Sequence, residues 1–285
     1  MAADTHAPAA SGWKPRWKPL AVLAALITLI TVTGCGATPT TTAPQPNPLP
    51  ASPTAVIHGE RPSQATLPPT PTPGAGPGPQ RPAPRPRPAA VALPTGPLPP
   101  VIIRVPTRQR VVFLTIDDGW TANPAALELI RSHHLPVTVF LVDGAYRHHP
   151  AYFQALAATG AQIEDHTLTH PDLTDLPLPA QEHEICGAAT AQQREFGRRP
   201  TLLRPPYGIY DRLTQTAAHH CGMRALVRWD ATVTDGHLDT IDGLRPGSII
   251  LLHFKEDLLT DLTVALDAVH RAGLTVAPLG SYLGN

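Results

Sequence analysis

Val111-Val112-Phe113-Leu114-Thr115-Ile116-Asp117-Asp118-Gly119-Trp120 is the stretch on which the reading of this chain turns. Six apolar or β-branched residues run without alternation, the pattern of a strand buried on both faces, and then stop at two carboxylates and a glycine. A strand ending this way delivers acidic groups to the rim of a sheet. Adjacent carboxylates repel, and their ionised forms are disfavoured unless a cation stands beside them, so Asp117 and Asp118 require a metal or an arginine nearby. An Asp-Gly pair also makes turns with no chemistry attached, and from this stretch alone that reading stands as the alternative.

Outward from Val111 to Ile116, strands and helices alternate. Asn123 reads as the N-cap of a helix to about His133, with Pro124 at its first position. Val137 to Val142 is a second buried strand, and a helix from Pro150 to Thr159 stops at Gly160. Ala161 to Glu164 is a short strand leading into Asp165-His166-Thr167-Leu168-Thr169-His170. The spacing predicts helices over 180–196, 210–220 and 258–271, and strands at Leu202-Leu203, 224–229, 248–252 and 274–277. Repeated β-then-α units with apolar strands indicate a parallel sheet covered by helices. Such folds gather chemistry at the carboxyl edge of the sheet, where Asp117-Asp118, His166, His170, Arg204, Asp235 and His253 all fall.

His166 and His170 are four residues apart, which on a helix or a similarly curled loop places two imidazoles on one side. A carboxylate from elsewhere completes three protein ligands and leaves a position for water, the pattern of a catalytic metal site. With 14 histidines in the chain, chance spacing is the competing explanation. His133-His134, His148-His149 and His219-His220 lack a matching acidic partner in the sequence and read as solvated. Arg204, stiffened by Pro205 and Pro206, is either a fixed guanidinium able to hold a carboxylate or a surface residue of a Pro-Pro turn. His253 closes the run Ile249-Ile250-Leu251-Leu252, as an imidazole at the mouth of a strand or a hydrogen-bonded core histidine.

In their order and approximate spacing, Thr115-Ile116-Asp117-Asp118-Gly119, His166-Thr167-Leu168-Thr169-His170, Arg204-Pro205-Pro206-Tyr207 and Leu251-Leu252-His253 resemble the motifs of the NodB-type polysaccharide deacetylases, carbohydrate esterase family four. The resemblance spans essentially all of residues 108–285. It implies an α/β fold, a distorted, incomplete (β/α) barrel of parallel strands with outer helices. It also implies that Asp118, His166 and His170 hold a divalent metal, zinc first and cobalt, nickel or manganese as alternatives. Asp117 would be the base, oriented by Arg204, and the Tyr207 backbone N–H would help to stabilise the oxyanion. His253 would protonate the leaving amine, with Asp235 orienting it and Leu251 lining the pocket for the acetyl methyl. The fourth motif departs from the family pattern: Thr232 stands where another Asp is usual, Gly236 replaces a tryptophan of the groove wall, and Phe254 stands where Asp is common. Trp120 or Phe254 is available as a replacement aromatic surface, with core packing as the alternative.

The rest of the chain is of another kind. Lys14, Arg16 and Lys18 precede an apolar run from Leu20 to Val32, too short to span a bilayer comfortably, so residues 1–34 read as an export signal or an uncleaved membrane anchor. Val32-Thr33-Gly34-Cys35 resembles the lipobox of bacterial lipoproteins, which implies lipidation of Cys35. More than half of the 36 prolines lie between Ala37 and Pro100, so residues 35–100 read as the lipid-attachment Cys and a disordered Pro/Thr/Ala-rich linker. In polyproline II form such a linker reaches on the order of 200 Å. Residues 101–285 are then the catalytic domain, held outside the cytoplasm on the bacterial membrane and facing the cell wall.

A formal net charge of zero offers no field to collect nucleic acid, and a monomer is expected. Cys35, Cys186 and Cys221 have no C-x-x-C spacing, which argues against a thiolate zinc site. Cys186 and Cys221 are open to two readings, a disulfide in an exported domain or a reduced buried pair. Three functions follow in order: metal-dependent removal of N-acetyl groups from peptidoglycan or a chitin-like polysaccharide, O-acetyl esterase action on acetylated xylan, and a catalytically silent glycan-binding module.

Overall fold

Strand β2 (Val111–Asp118), preceded by the two-residue β1 (Val101–Ile102), is buried along all but its last residue. It lies in a computed structural model that describes residues 90–94 and 96–284. The export signal, Cys35 and the linker as far as residue 89 lie outside the described residues. At the linker's end Val91 N–H donates to the Tyr282 carbonyl, and Val91 and Leu93 pack on the core. Among the described residues no helix is long and apolar enough to cross a membrane.

The chain continues through α1 (Pro124–Ser132), β3 (Val137–Leu141), the short α2 (Asp143–Tyr146), α3 (Pro150–Ala158) and β4 (Gln162–Asp165). Then come α4 (Leu178–Phe196), β5 (Leu202–Leu203), α5 (Arg212–His220), β6 (Ala225–Val227), β7 (Ala231–Thr234) and β8 (His237–Thr240). It closes with β9 (Ile249–His253), α6 (Leu258–Arg271), β10 (Thr275–Val276) and α7 (Leu279–Tyr282). The helices start where the sequence offers caps: the Asn123 side chain accepts from Ala126 N–H, and Asp211 forms a capping box with Thr214.

The sheet runs β1-β6-β5-β4-β3-β2-β9-β7-β8, with β10 also pairing to β2. It curls into a half-barrel that stays open between β1 and β8. Apart from an isolated antiparallel bridge between Arg104 and Ser248, the pairings are parallel as expected except one: β7 and β8 form an antiparallel hairpin. The reason is local. Asp235 and Gly236 join the paired residues Thr234 and His237, both with left-handed backbone (φ +52° and +74°), which is the two-residue Asp-Gly turn that favours hairpins. Strand β8 escaped the sequence reading because it alternates between exposed and half-buried residues and has no apolar run.

The two faces of β2 have different partners. Val112, Leu114 and Ile116 pack on Ala126 and Ile130 of α1 and on Leu262, Ala265 and Val269 of α6. Val111 and Phe113 point into the half-barrel against Phe140, Leu202, Val227 and Tyr282. By period-two alternation Thr115 and Asp117 continue that inner face. Register places Leu251 beside Thr115 and His253 beside Asp117. A disulfide joins Cys186 of α4 to Cys221 at the end of α5, which selects the first of the two cysteine readings.

Candidate active site

Alternation along β2 would send Asp118 to the helix side, away from Asp117. It does not, because Asp118 takes left-handed backbone (φ +80°) and turns its carboxylate to the sheet edge. Gly119 follows at φ +113°, and a Cβ there would sit 3.2–3.4 Å from Leu141, Phe153 and Tyr146, so only glycine continues the turn without strain. Both carboxylates then reach one imidazole: His166 Nε2 lies 3.7 Å from Asp117 Oδ2 and 3.6 Å from Asp118 Oδ1. His170 Nε2 lies 3.5 Å from the same Asp118 oxygen.

His166 and His170 sit on a loop after β4, not on a helix. Thr167 and His170 have left-handed backbone (φ +72° and +64°), and three side chains hold the loop in that shape. Asp165 Oδ1 accepts Thr167 N–H, Thr167 Oγ1 accepts His170 N–H, and Glu184 of α4 accepts Leu168 N–H, Thr169 N–H and the Thr169 hydroxyl. One turn along α4, Gly187 leaves room for Leu168, whose Cδ1 would lie 2.6 Å from an added Cβ. Glu184 and Gly187 carry no signal in the sequence, since their partner is a loop far upstream and Glu on a helix is ordinarily solvated.

Orientation of His166 follows from one hydrogen bond. Its Nδ1 is 2.6 Å from the Arg204 carbonyl, which can only accept, so Nδ1 carries the proton and Nε2 presents a lone pair toward the carboxylates. Burial lowers the His166 pKa to about 3, with Asp118 opposing, and the ring stays neutral as a metal ligand must.

One ligand atom from each of Asp118, His166 and His170 falls within 4.8 Å of the others. Zinc bonds of about 2.0–2.1 Å in tetrahedral geometry place neighbouring ligand atoms roughly 3.3 Å apart. The His–Asp118 separations of 3.5 and 3.6 Å exceed a direct hydrogen bond and approach that spacing. Two imidazoles and one carboxylate thus fit a divalent cation with a coordination position to spare.

Arg204 is fully buried in the half-barrel, so it is no surface residue of a Pro-Pro turn. Its Nη1 donates to Asp117 Oδ1 at 2.6 Å and to Thr115 Oγ1 at 2.9 Å, while Nε and Nη2 donate to the Val227 and Arg228 carbonyls. The guanidinium carbon lies 4.2 Å from the Phe140 ring centroid and 5.5 Å from that of Trp229. Burial raises the Asp117 pKa above the ordinary carboxylate range, while Arg204, His253 and His170 pull the other way. Asp117 is therefore a stronger base than a surface aspartate, with Oδ1 committed to Arg204 and Oδ2 turned to the ligand cluster.

Tyr207 takes left-handed backbone (φ +60°), its side chain is 61% exposed, and its ring centroid is 4.7 Å from that of His170. Leu251 is buried on the inner face. Asp235 differs from expectation: it sits exposed in the hairpin turn, near Asp261, and forms no ion pair with His253 among the described residues. His253 Nδ1 is buried without a hydrogen-bond partner, so neither Asp235 nor any other described residue orients it. Phe254 is core, 2% exposed and packed on Phe153 and Tyr152. Of the histidine pairs read as solvated, His220 has Glu182 at 2.6 Å, and His149 Nε2 lies 3.2 Å from the Trp120 carbonyl.

With this geometry in place, the comparisons with known proteins decide the family. Residues 104–226 match the polysaccharide deacetylase family model. An uncharacterized protein of Streptomyces coelicolor is 42% identical over 196 residues, covering 65% of this chain and 78% of its own length. The chain belongs to the polysaccharide deacetylase family. A chitooligosaccharide deacetylase of Sinorhizobium fredii is 28% identical over 193 residues, 59% of this chain and 89% of the relative. A family 4 carbohydrate esterase from Bacillus anthracis shares the fold, with a TM-score of 0.57, 21% identity, and coverage of 65% of this chain and 87% of that one. Polysaccharide deacetylases are hydrolases of carbon–nitrogen bonds other than peptide bonds.

Removing the cation beside Asp117 leaves a carboxylate buried and unpaired. Arg204→Met is expected to destabilise the fold by about 3–5 kcal/mol in urea unfolding, the usual cost of breaking a buried ion pair from one side. Adding Asp117→Asn to that variant should restore part of the loss. A single variant within about 1 kcal/mol of wild type would show that the pair does not stabilise the site.

Proposed function

We propose that this chain is a divalent-metal-dependent hydrolase, with zinc as its cation, that removes N-acetyl groups from a peptidoglycan or chitin-like polysaccharide at the cell surface. One observation carries the reading: Asp117 divides its carboxylate between a buried guanidinium and the Asp118–His166–His170 cluster. A structural carboxylate has no need of that division.

Asp118, His166 and His170 are the residues to hold the cation, which when bound polarises a carbonyl and brings water, whose pKa is 15.7, to ionise near neutrality. Asp117 Oδ2 takes the proton as water adds to the acetyl carbon, and burial makes it a better acceptor there. Arg204 holds the other oxygen still. The Tyr207 N–H has no acceptor among the described residues and is free to donate to the developing oxyanion. Leu251, beside Thr115, supplies an apolar wall for the methyl group. As the C–N bond breaks, His253 gives its proton to the nitrogen, and acetate and a free amine leave. Export and lipidation at Cys35, or retention of an uncleaved anchor, would put this domain at the wall, and the Pro-rich segment supplies the reach.

A second reading has its own observation. His253 Nδ1 lacks an orienting partner, and an alkoxide leaves with less help from an acid than an amine does, which favours O-acetyl esters such as acetylated xylan.

The purified chain should release acetate from N-acetylglucosamine oligomers and stop when chelated. Asp117→Asn should slow release by about 10²–10⁴-fold while zinc titration still saturates, whereas His166→Ala should lose the zinc. Zinc-saturated Asp117→Asn retaining the wild-type rate would remove Asp117 from the chemistry.

His253→Ala distinguishes the two substrates. Amide turnover should fall by at least about tenfold more than turnover of an acetyl ester. Equal losses on both would take leaving-group protonation away from His253.

Cys35→Ala should shift the chain from the membrane fraction to the medium or to an unlipidated precursor, read by fractionation and intact mass. Unchanged mass and membrane retention would favour the uncleaved anchor instead.

A further inference from the structure

The exposed aromatic side chains of the described domain lie at one edge of the sheet. Among its exposed large apolar side chains only two carry rings, Trp120 and Tyr207; the others are Ile103, Ile209, Leu213, Ile241 and Leu259. Both residues follow strands at the carboxyl edge of the sheet, the edge that carries the ligand cluster. Trp120 is two residues beyond Asp118 at the carboxyl end of β2, and Tyr207 packs its ring on His170. Half of Trp120 is open to water, an unfavourable placement for the largest apolar side chain unless something covers it.

The backbone that carries the exposed indole is held, and a second ring stands near it. His149 Nε2 lies 3.2 Å from the Trp120 carbonyl, and the His148 ring centroid is 6.5 Å from the indole at a 32° tilt. Gly119 fixes the backbone before it by close packing on Leu141, Phe153 and Tyr146. Order combined with exposure suits a flat apolar platform beside a reacting centre. A pyranose ring has such a complementary face, its axial C–H groups, while its hydroxyls stay in water.

We infer that Trp120 is a stacking platform for a sugar ring adjacent to the one being deacetylated, so that the site prefers a chain of sugars over a single one. This rests on the proposed glycan substrate, and it adds a residue and a length preference which that reading does not contain. Leu141 and Phe153 lie beneath Gly119 and cannot take the role, and Phe254 is buried.

The test separates binding from turnover. On the full chain carrying Asp117→Asn, or on chelated wild type should that variant fold poorly, calorimetric affinity for N-acetylglucosamine oligomers of two to six sugars is measured with Trp120 intact, as Trp120→Ala and as Trp120→Phe. The expected result is about a tenfold loss for the longer oligomers in Trp120→Ala, with most of it recovered in Trp120→Phe and monosaccharide affinity unchanged. In the chain with Asp117 intact, KM for long oligomers should rise while turnover of a small acetyl ester stays the same. Unchanged oligomer affinity, or an equal loss for monosaccharide and oligomer, overturns the platform. Absence of acetate release from every substrate would instead sink the deacetylase reading, and the affinities would still decide the role of Trp120.

Discussion

The site depends on a guanidinium placed where no water reaches it. A fully buried arginine is tolerated only if its donors are met and its charge is balanced. Arg204 meets both conditions with Thr115, Asp117 and two backbone carbonyls of the β6 end, between the rings of Phe140 and Trp229. Its own carbonyl then fixes the tautomer of His166. One residue thus orients Asp117 through its side chain and His166 through its backbone carbonyl, so the two cannot shift independently. Gly208 contributes from beneath: a Cβ there would lie 2.8 Å from the Trp229 ring that covers the guanidinium.

Backbone strain is gathered at the same edge. Six non-glycine residues of the described chain have positive φ, and four of them, Asp118, Thr167, His170 and Tyr207, belong to the site. Such conformations cost of order 1 kcal/mol or more each and persist only where surrounding contacts over-determine them. Those contacts are present for the ligand loop in Asp165, Thr167, Glu184 and the seat that Gly187 leaves for Leu168. Packing energy from the barrel and α4 is in effect held as pre-organised geometry at its rim.

Much of this was legible in the chain itself. An unbroken apolar run ending in two carboxylates marks a central parallel strand, since only such a strand is buried on both faces, and the clusters after β4, β5 and β9 could be placed at the same edge by alternation alone. Glu184 and Gly187 were not legible, because a helix residue that serves a distant loop has no period and no neighbouring signal. Asp235 was misread for an instructive reason. Asp-Gly occurs four times, twice directly after a strand: at 118–119 a buried strand stops against packed side chains and the pair turns a carboxylate inward, whereas at 235–236 a half-exposed strand doubles back and the same pair makes a hairpin. Only the burial of the strand before each pair separates them, and Ala231 to Thr234 is too short to show it.

That second turn leaves the two halves of the site unequally built. On the Asp117 side each group has its own support: Asp117 has Arg204 within a strand paired on both sides, His166 a carbonyl, and His170 a strapped loop. On the His253 side, the strand fixes the backbone but the buried Nδ1 has no partner, and the hairpin directs Asp235 to solvent. No described residue therefore selects the tautomer of this ring, in contrast to His166, whose Nδ1 meets the Arg204 carbonyl. In the hydrolysis proposed above, bond breaking at the acyl group is then the step on which the substrate itself has most influence. On that proposal, discrimination between amide and ester, and between one glycan and another, rests on what the leaving sugar brings and on the surfaces that receive it, while the Asp117 side would be common to all of them.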